Sequence, residues 1–202
     1  PFLKRGVKVF SAWAANAVPV AEYTTSQILL ANKGFFQTST LYSRGGRTAL
    51  NALGDLRFPG NFGCKIGIIG AGMICNAAHL PALTPLRKRG AVEVVAVADI
   101  RPEAARETAQ RYEIPAWYDD PQKMLDEVKP DWVSVCTPNR RHNLSILALR
   151  AGANVMCEKP LALTWREAKE MFDVARQEGK LLFPCQSRRW SPDMDFASDV
   201  VR

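Results

Sequence analysis

The chain has 202 residues, of which 47% are hydrophobic and 23% charged, the composition of an ordinary globular protein with one domain or one domain and part of a second. Its formal net charge of +7 comes from small groups of cations rather than a long basic run, which argues against a nucleic-acid partner. No signal peptide opens the chain and no apolar run approaches membrane-spanning length, so we expect a cytoplasmic protein without a membrane partner.

The cysteine and histidine content argues against a metal site. The five cysteines include no C-x-x-C pair, and two histidines are too few for the usual zinc ligand sets. Cys136, Cys157 and Cys185 lie in apolar segments, where a cysteine behaves as a small hydrophobic residue. We therefore predict that the chain holds no metal.

Residues 1–63 are interpreted as a mostly helical N-terminal extension. A short strand is predicted at 7–10 and a helix from Asn16, with Pro19 tolerated in its first turn. Apolar residues between 28 and 36 supply a buried face, and a turn-rich stretch at 59–63 leads into the next segment. The extension offers no nucleophile paired with a base.

The stretch at 65–75 carries the motif on which the interpretation of the later segments depends. Its β-branched run at 66–69 predicts a buried parallel strand, after which two glycines turn the chain into a helix. Gly70 permits a tight turn, Gly72 lets a pyrophosphate approach the backbone, and the helix N-terminus offers N–H donors and a partial positive charge. Cys75 replaces the third glycine of the G-x-G-x-x-G pattern. The dinucleotide contacts predicted here are Gly70, Ala71, Gly72, Met73 and Ile74.

A second strand, predicted at 92–97, leads to Asp99. An acidic side chain there accepts hydrogen bonds from the adenosine ribose hydroxyls and repels a 2′-phosphate, which favours NAD over NADP. Arg101 weakens that preference, and the alternative interpretation is that Asp99 caps the helix before Pro102. The contacts predicted for this segment are Asp99, Ile100 and Arg101.

Strands and helices alternate through the rest of the chain. The helix after the glycine turn is expected to end at Thr84 and Pro85, because proline breaks a helix. A capping box at Thr164 opens a later helix whose core face is predicted to carry Trp165 and Phe172. The other predicted elements are helices from Pro102, after Asp120 and at 144–149, and strands at 131–136, 154–157 and 180–184.

This alternation with short connections predicts an α/β fold, a doubly wound parallel sheet of the Rossmann type. Ligands of such sheets bind at the carboxyl ends of the strands. The polar residues that fall at those ends are Asp99, Thr137, Asn139, His142, Glu158, Lys159, Gln186 and Arg189.

Lys159 is the candidate catalytic residue. It precedes Pro160, which favours an extended backbone and directs the side chain outward from the strand end. A cationic amine there can polarise a substrate hydroxyl, although an ordinary surface lysine is the alternative. His142 either contacts a cofactor or merely opens a helix, and His79 is interpreted as structural.

Residues 64–202 resemble the N-terminal half of the glucose–fructose oxidoreductase and inositol dehydrogenase (Gfo/Idh/MocA) family. The motifs that carry the resemblance are GIIGAG at 67–72, HLP at 79–81, VAD at 97–99, CTPN at 136–139 with His142, EKP at 158–160 and QSRRW at 186–190. The family implies NAD(P)-linked hydride transfer on sugars or cyclic polyols. It also implies that Lys159 lies beside the nicotinamide and the substrate hydroxyl and Glu158 near the nicotinamide ribose. The other cofactor contacts implied are Thr137, Pro138, Asn139, His142, Gln186 and Arg189.

The same resemblance implies a C-terminal substrate domain after residue 202, which would carry the proton-transfer residues and form a homo-oligomer. The chain begins at Pro1 and stops within an apparent helix. We therefore expect a fragment that binds NAD without efficient turnover.

Residues 1–74 resemble the D-2-hydroxyacid dehydrogenases, on NAVPVAEY at 16–23 and GIIGAGMI at 67–74. The two resemblances overlap only at 67–74. The resulting hypothesis is that the chain joins pieces of two dehydrogenase families at their shared glycine turn, through a natural fusion or an assembly error. A divergent member with an N-terminal extension, a hydroxyacid dehydrogenase fragment and a non-catalytic dinucleotide-binding protein stay open as alternatives.

Overall fold

The computed structural model describes residues 63–186 and, before them, only residues 26–27, 30, 35, 38–40, 43 and 45, which have helical conformation. The strand predicted at 7–10, the beginning of the helix predicted from Asn16 and the site residue Arg189 lie outside the described residues. The fold described below is therefore that of residues 63–186.

Six parallel strands form one sheet. They are β1 (Cys64–Ile69), β2 (Val92–Ala98), β3 (Ala116–Tyr118), β4 (Trp132–Val135), β5 (Asn154–Cys157) and β6 (Leu182–Pro184). Their order across the sheet is β3-β2-β1-β4-β5-β6, and every neighbouring pair is parallel. The order reverses between β1 and β4, so the predicted doubly wound Rossmann sheet is confirmed. The three-residue strand β3 was not predicted, and it pairs with the end of β2.

Helices connect the strands and cover both faces of the sheet. A π-helical turn (Cys75–His79) runs directly into α1 (Leu80–Lys88), followed by α2 (Pro102–Arg111), α3 (Pro121–Val128), a 3₁₀ turn (Asn139–Arg141), α4 (His142–Arg150) and α5 (Trp165–Gln177). Within the described part of the chain, none of these helices combines the length and apolarity needed to cross a bilayer.

Two apolar cores flank the sheet. On one face, Ile66 and Ile68 of β1 pack with residues of α1 and α2, among them Leu83 and Ala109. On the other face, residues of α3, α4 and α5 pack together, including Met124, Leu125, Leu149 and Met171. Burial of strands on both faces explains their β-branched, nearly continuous apolar sequence.

The prediction that the first helix ends at Thr84 and Pro85 is wrong, since α1 continues to Lys88. The helix tolerates its first proline because the preceding turn is π-helical. In that pattern, the N–H at position 81 would bond to the carbonyl of Asn76, but Pro81 has no N–H. The Tyr112 hydroxyl donates to that carbonyl instead, at 2.8 Å.

The prediction that Trp165 and Phe172 lie in the core is also wrong. Their exposed fractions are 74% and 42%. The capping box at Thr164 is confirmed, so the helix begins where predicted. Ala175 of the predicted stripe is buried, and the rest of the buried face of α5 is Met171 and Val174.

Candidate functional site

The sheet brings the predicted site residues to one edge. Ile69 pairs with Ala98 on one side and Val135 on the other, Val135 pairs with Cys157, and Cys157 pairs with Pro184. The residues that follow these strand ends therefore lie side by side. They include Gly70 to Ile74, Asp99 to Arg101, Thr137 to Asn139, Glu158, Lys159 and Gln186.

The glycine turn after β1 has two glycines in different surroundings. Gly70 has a φ of +101°, and a Cβ there would lie 2.9 Å from Thr137 Cγ2 and 3.0 Å from the Cys136 carbonyl carbon. Gly72 has no described atom within 4 Å of its Cβ position, so the space above it is open. Helical conformation begins at Met73, and the first N–H groups of a helix have no acceptor within it. Open space beside N–H donors suits a pyrophosphate.

Asp99, which follows the neighbouring strand β2, bonds to the main chain of the glycine turn. One carboxylate oxygen accepts a hydrogen bond from the Ala71 N–H at 2.8 Å, and the other accepts from the Arg101 N–H at 2.9 Å. The alternative that Asp99 caps α2 is not observed, because Arg101 is the residue at the helix cap and no side chain bonds there. The carboxylate thus lies beside the turn, where the sequence predicts ribose hydroxyls.

An open cavity of about 250 Å³ lies between the glycine turn and α2, with Gly72, Met73, Arg101 and Arg111 in its lining. Two large apolar side chains at this edge are exposed to solvent, Met73 by 77% and Ile100 by 72%. A cavity lined by both charged and apolar side chains suits a ligand that has a charged part and an apolar part.

The loop after β4 carries an orphaned hydroxyl. The Thr137 Oγ1 atom is buried and has no hydrogen-bond partner among the described residues. It belongs to the residue whose methyl group approaches Gly70. A buried hydroxyl without a partner costs free energy, so it supports a ligand group at this place. The residues present therefore fit a dinucleotide.

His142 opens α4, and its Nδ1 lies 3.7 Å from a carboxylate oxygen of Glu167 at the start of α5. The contact joins the beginnings of two helices, which agrees with the helix-opening interpretation of His142. Gln186 lies exposed just past β6. The cofactor contacts of both residues stay predictions.

Glu158 is buried rather than open to the edge of the sheet. One of its carboxylate oxygens lies 2.8 Å from His79 Nε2, with 7% and 0% of the two side chains exposed. Its other oxygen accepts a hydrogen bond from the Lys159 N–H at 3.1 Å. The Lys159 side chain itself is exposed. The predicted contact of Glu158 with the nicotinamide ribose stays a prediction, and in this structure its carboxylate is bonded internally.

The imidazole of His79 is held by polar groups on both sides. Its Nδ1 lies 2.8 Å from the Ser134 Oγ. Burial by itself lowers the pKa of His79, but contacts with Cys136 and Glu158 raise that pKa to about 10. A hydrogen bond with Cys75 and burial hold the pKa of the Cys136 thiol well above its usual range, so this thiol is neutral. Cys136 and Glu158 thus both favour the protonated imidazole, and the Glu158 carboxylate lies 2.8 Å from its Nε2.

The sequence did not reveal this buried pair. His79 was expected to be structural, and its complete burial agrees with that interpretation, but neither Glu158 nor Ser134 was identified as its partner. One signal was available, because a histidine four residues after Cys75 shares its helix face with a core position and needs a buried partner. Which residue supplies that partner depends on the packing of distant strands.

Comparison with known proteins adds a family match. The family model described as an oxidoreductase family with an NAD-binding Rossmann fold, GFO_IDH_MocA, matches residues 64–185. The chain is 46% identical over 119 residues to a D-glucoside 3-dehydrogenase of Escherichia coli, an alignment that covers 58% of this chain and 33% of the relative.

Two solved structures share the fold. A dehydrogenase from Chromobacterium violaceum in complex with NADH and UDP-GlcNAcA is 30% identical, with a TM-score of 0.59 over 63% of this chain and 36% of that one. A 3-ketoreductase from Actinomadura kijaniata in complex with NADP and TDP-benzene is 29% identical, with a TM-score of 0.60 over 69% of this chain and 42% of that one. The chain thus spans 33% to 42% of the length of these three proteins.

Proposed function

The chain belongs to the Gfo/Idh/MocA oxidoreductase family, with its NAD-binding Rossmann fold, and from this premise we propose that it is the nucleotide-binding part of an NAD-dependent dehydrogenase. The reaction is hydride transfer between a sugar or polyol hydroxyl and the nicotinamide ring. The observation that carries the proposal is the open glycine turn, with empty space at Gly72 beside the Asp99 carboxylate.

Several of the predicted cofactor residues have a specific role in this proposal. The N–H groups at the turn, from Gly72 to Ile74, bind the pyrophosphate, and the Thr137 hydroxyl donates to a phosphate or ribose oxygen. The free lone pairs of the Asp99 carboxylate accept from the adenosine ribose hydroxyls. Ile100 and Pro138 flank the adenine. Asn139, His142, Gln186 and Arg189 are the remaining predicted contacts.

Lys159 is the proposed catalytic residue. NAD supplies the hydride acceptor, because the nicotinamide C4 takes up the hydride when the cofactor is bound. The exposed Lys159 ammonium follows β5 at the same edge of the sheet and polarises the substrate hydroxyl, which favours the alkoxide from which hydride leaves. A sugar or polyol substrate fits this role because it offers hydroxyl groups to a cation. The named substrate of the E. coli relative is a D-glucoside.

The proposed preference for NAD rests on charge. A 2′-phosphate would meet the Asp99 carboxylate, whereas Arg101, whose Nε lies 3.4 Å from that carboxylate, reduces the repulsion. The two related structures hold NADH in one case and NADP in the other. In this proposal the preference for NAD over NADP therefore depends on the side chains of Asp99 and Arg101.

A thermal-shift titration tests the proposal. At an NAD concentration of one hundred times Kd, linkage predicts a stabilisation of about 2.7 kcal/mol, with a smaller effect of the same NADP concentration. Asp99→Ala should weaken the response to NAD and bring the two cofactors closer together. Asp99→Asn, which keeps an oxygen for the Ala71 N–H, separates the loss of charge from the loss of that bond. No response to either cofactor would contradict the proposed function, and equal responses of the wild type would remove the NAD preference.

Three further expectations accompany the function. A substrate domain after residue 202, a homo-oligomer formed through it, and a cytoplasmic location stay predictions from the sequence. The same holds for the junction between two dehydrogenase families near residues 67–74, which sequencing of the source locus across that junction would test.

A further inference from the structure

The described residues contain one buried charge pair that the proposed reaction does not use. His79 Nε2 and the Glu158 carboxylate lie 2.8 Å apart, and the two side chains are 0% and 7% exposed. Burying a charge is costly unless it is paired and hydrogen-bonded. Each charge in this pair has its partner, and Ser134 holds the far side of the imidazole at 2.8 Å.

The pair joins the two segments on which the proposed function depends. His79 lies in the π-helical turn that follows the glycine turn, and Glu158 is the first residue after β5. The Glu158 N–H donates to the Val135 carbonyl, so the main chain of this residue is fixed by β4. Its second carboxylate oxygen accepts from the Lys159 N–H at 3.1 Å. The imidazole, the carboxylate and the lysine main chain thus form one connected series of hydrogen bonds.

A metal site is a weaker explanation for the same cluster. His79, Glu158 and Cys185 place ligand atoms within 4.8 Å of one another. The His79–Glu158 distance of 2.8 Å is that of a charge-assisted hydrogen bond, and both imidazole nitrogens already have protein partners. The arrangement is that of an ion pair.

A purely stabilising role is also a weaker explanation. A buried ion pair can often be replaced by apolar side chains of similar volume without loss of stability. An apolar replacement at 158 would leave the Lys159 N–H without the acceptor that now fixes it. The direction of the lysine side chain depends on that segment of main chain.

We propose that His79 is a positioning residue for Lys159. Through the Glu158 carboxylate, its imidazole fixes the main chain at Lys159 and so directs the lysine amine toward the place where the nicotinamide and the substrate hydroxyl meet. The inference rests on the proposed function. It extends that function by linking the segment that binds the pyrophosphate to the lysine that acts on the substrate.

The test measures how NAD protects the Lys159 amine. The chain is labelled with trace acetic anhydride, with and without NAD, and the rate at Lys159 is followed by peptide mass spectrometry, with exposed Lys129 at the opposite edge as the internal reference. In the wild type, NAD at ten times Kd should slow labelling of Lys159 by about tenfold, since about one site in eleven is then free.

The decisive variant is the double substitution His79→Leu/Glu158→Leu, which removes both charges together. It should still bind NAD, yet NAD at ten times the variant's own Kd should slow Lys159 labelling by less than about twofold, because the amine is no longer directed at the cofactor. His79→Gln keeps a donor for Glu158 and should restore most of the protection. Leu149→Ala, in the core on the opposite face, is the control for lost stability and should leave protection unchanged.

Glu158→Gln decides the case if the double variant does not fold. In the wild type the two hydrogen bonds use different carboxylate oxygens, and the amide replaces one of these oxygens with an NH2 group that cannot accept from protonated His79 or from the Lys159 N–H, so protection should fall below about twofold here as well. Full protection in a folded variant that lacks these bonds would overturn the inference. Wild-type chain that binds NAD without protecting Lys159 would overturn it too, leaving the proposed function in place, whereas failure of the wild type to bind NAD would overturn both.

Discussion

The two glycines of the turn after β1 lie in different physical surroundings. Gly70 is required by the fold, because its φ of +101° is unfavourable for a side chain and a Cβ would lie 2.9 Å from Thr137. Gly72 has open space at its Cβ position and no strained φ. Nothing in the described fold requires a glycine at this position, and its proposed role is to leave that space for a ligand.

Gly72→Ala should therefore separate binding from stability. We expect the free energy of unfolding to stay within about 0.5 kcal/mol of the wild type, since nothing in the fold meets the new methyl group. The affinity for NAD should fall by about tenfold or more, a cost of at least about 1.4 kcal/mol, because the methyl group occupies the place of the pyrophosphate. Urea denaturation and calorimetric titration measure the two quantities.

Gly70→Ala is the matched control. It should lower the free energy of unfolding by more than about 1 kcal/mol, because of both the positive φ and the contact with Thr137. Unchanged NAD binding by a stable Gly72→Ala chain would show that the cofactor does not approach this turn.

Single residues could be placed on the fold from the sequence where local geometry decides their position. The glycines, Asp99 and Lys159 could be identified because a strand end followed by a turn is visible in the sequence. The pairing of His79 with Glu158 and Ser134 could not, since these residues are 55 or more positions from His79 and only the strand order places them together.

Two predictions about helices were wrong, one about where the first helix ends and one about which face of α5 is buried. Pro85 was expected to end the first helix, but α1 continues through it to Lys88. At Pro81, the π-helical turn shifts the bonding pattern and the Tyr112 hydroxyl donates to the carbonyl of Asn76. In α5 the capping box fixed the start, yet the rotation of the helix depends on where the sheet lies. Trp165 therefore faces solvent and Met171 the core.

Tyr112→Phe tests the account of the π-helical turn. The variant loses one partly buried hydrogen bond, so we expect the free energy of unfolding to fall by about 1 kcal/mol, as measured by urea denaturation. Tyr118→Phe is the control, because its hydroxyl bonds to Glu127 at the exposed surface, and it should change the same quantity by less than about 0.5 kcal/mol. Equal effects of the two substitutions would remove the role given to Tyr112.

For the whole molecule, the sequence predicted the architecture and the edge of the sheet at which the candidate site residues meet, because alternation of strands and helices leaves few topologies. It did not predict the polar interior of that architecture. Buried His79 makes the stability of the whole fold depend on pH, since contacts with Cys136 and Glu158 raise its pKa to about 10 despite its burial.

The free energy of unfolding should therefore fall as pH rises from 6.5 to 8. In this window the folded chain keeps the proton on His79 while the unfolded chain releases it, so the folded state binds more protons. The slope should approach but not exceed about 1.4 kcal/mol per pH unit. Denaturation at several pH values measures it, and the double variant His79→Leu/Glu158→Leu should show a smaller slope. Stability that is constant or rising over this window in the wild type would contradict the charge assigned to His79.

The central claim is that a dinucleotide lies with its phosphates on the glycine turn and its adenosine ribose at Asp99. A crystal structure of the chain with NAD measures this directly. The account predicts pyrophosphate oxygens within hydrogen-bond distance of the N–H groups at Gly72 and Met73, the ribose hydroxyls on the Asp99 carboxylate, and the nicotinamide near Lys159. NAD bound away from this turn, or a turn closed against it while NAD binds elsewhere, would contradict the account.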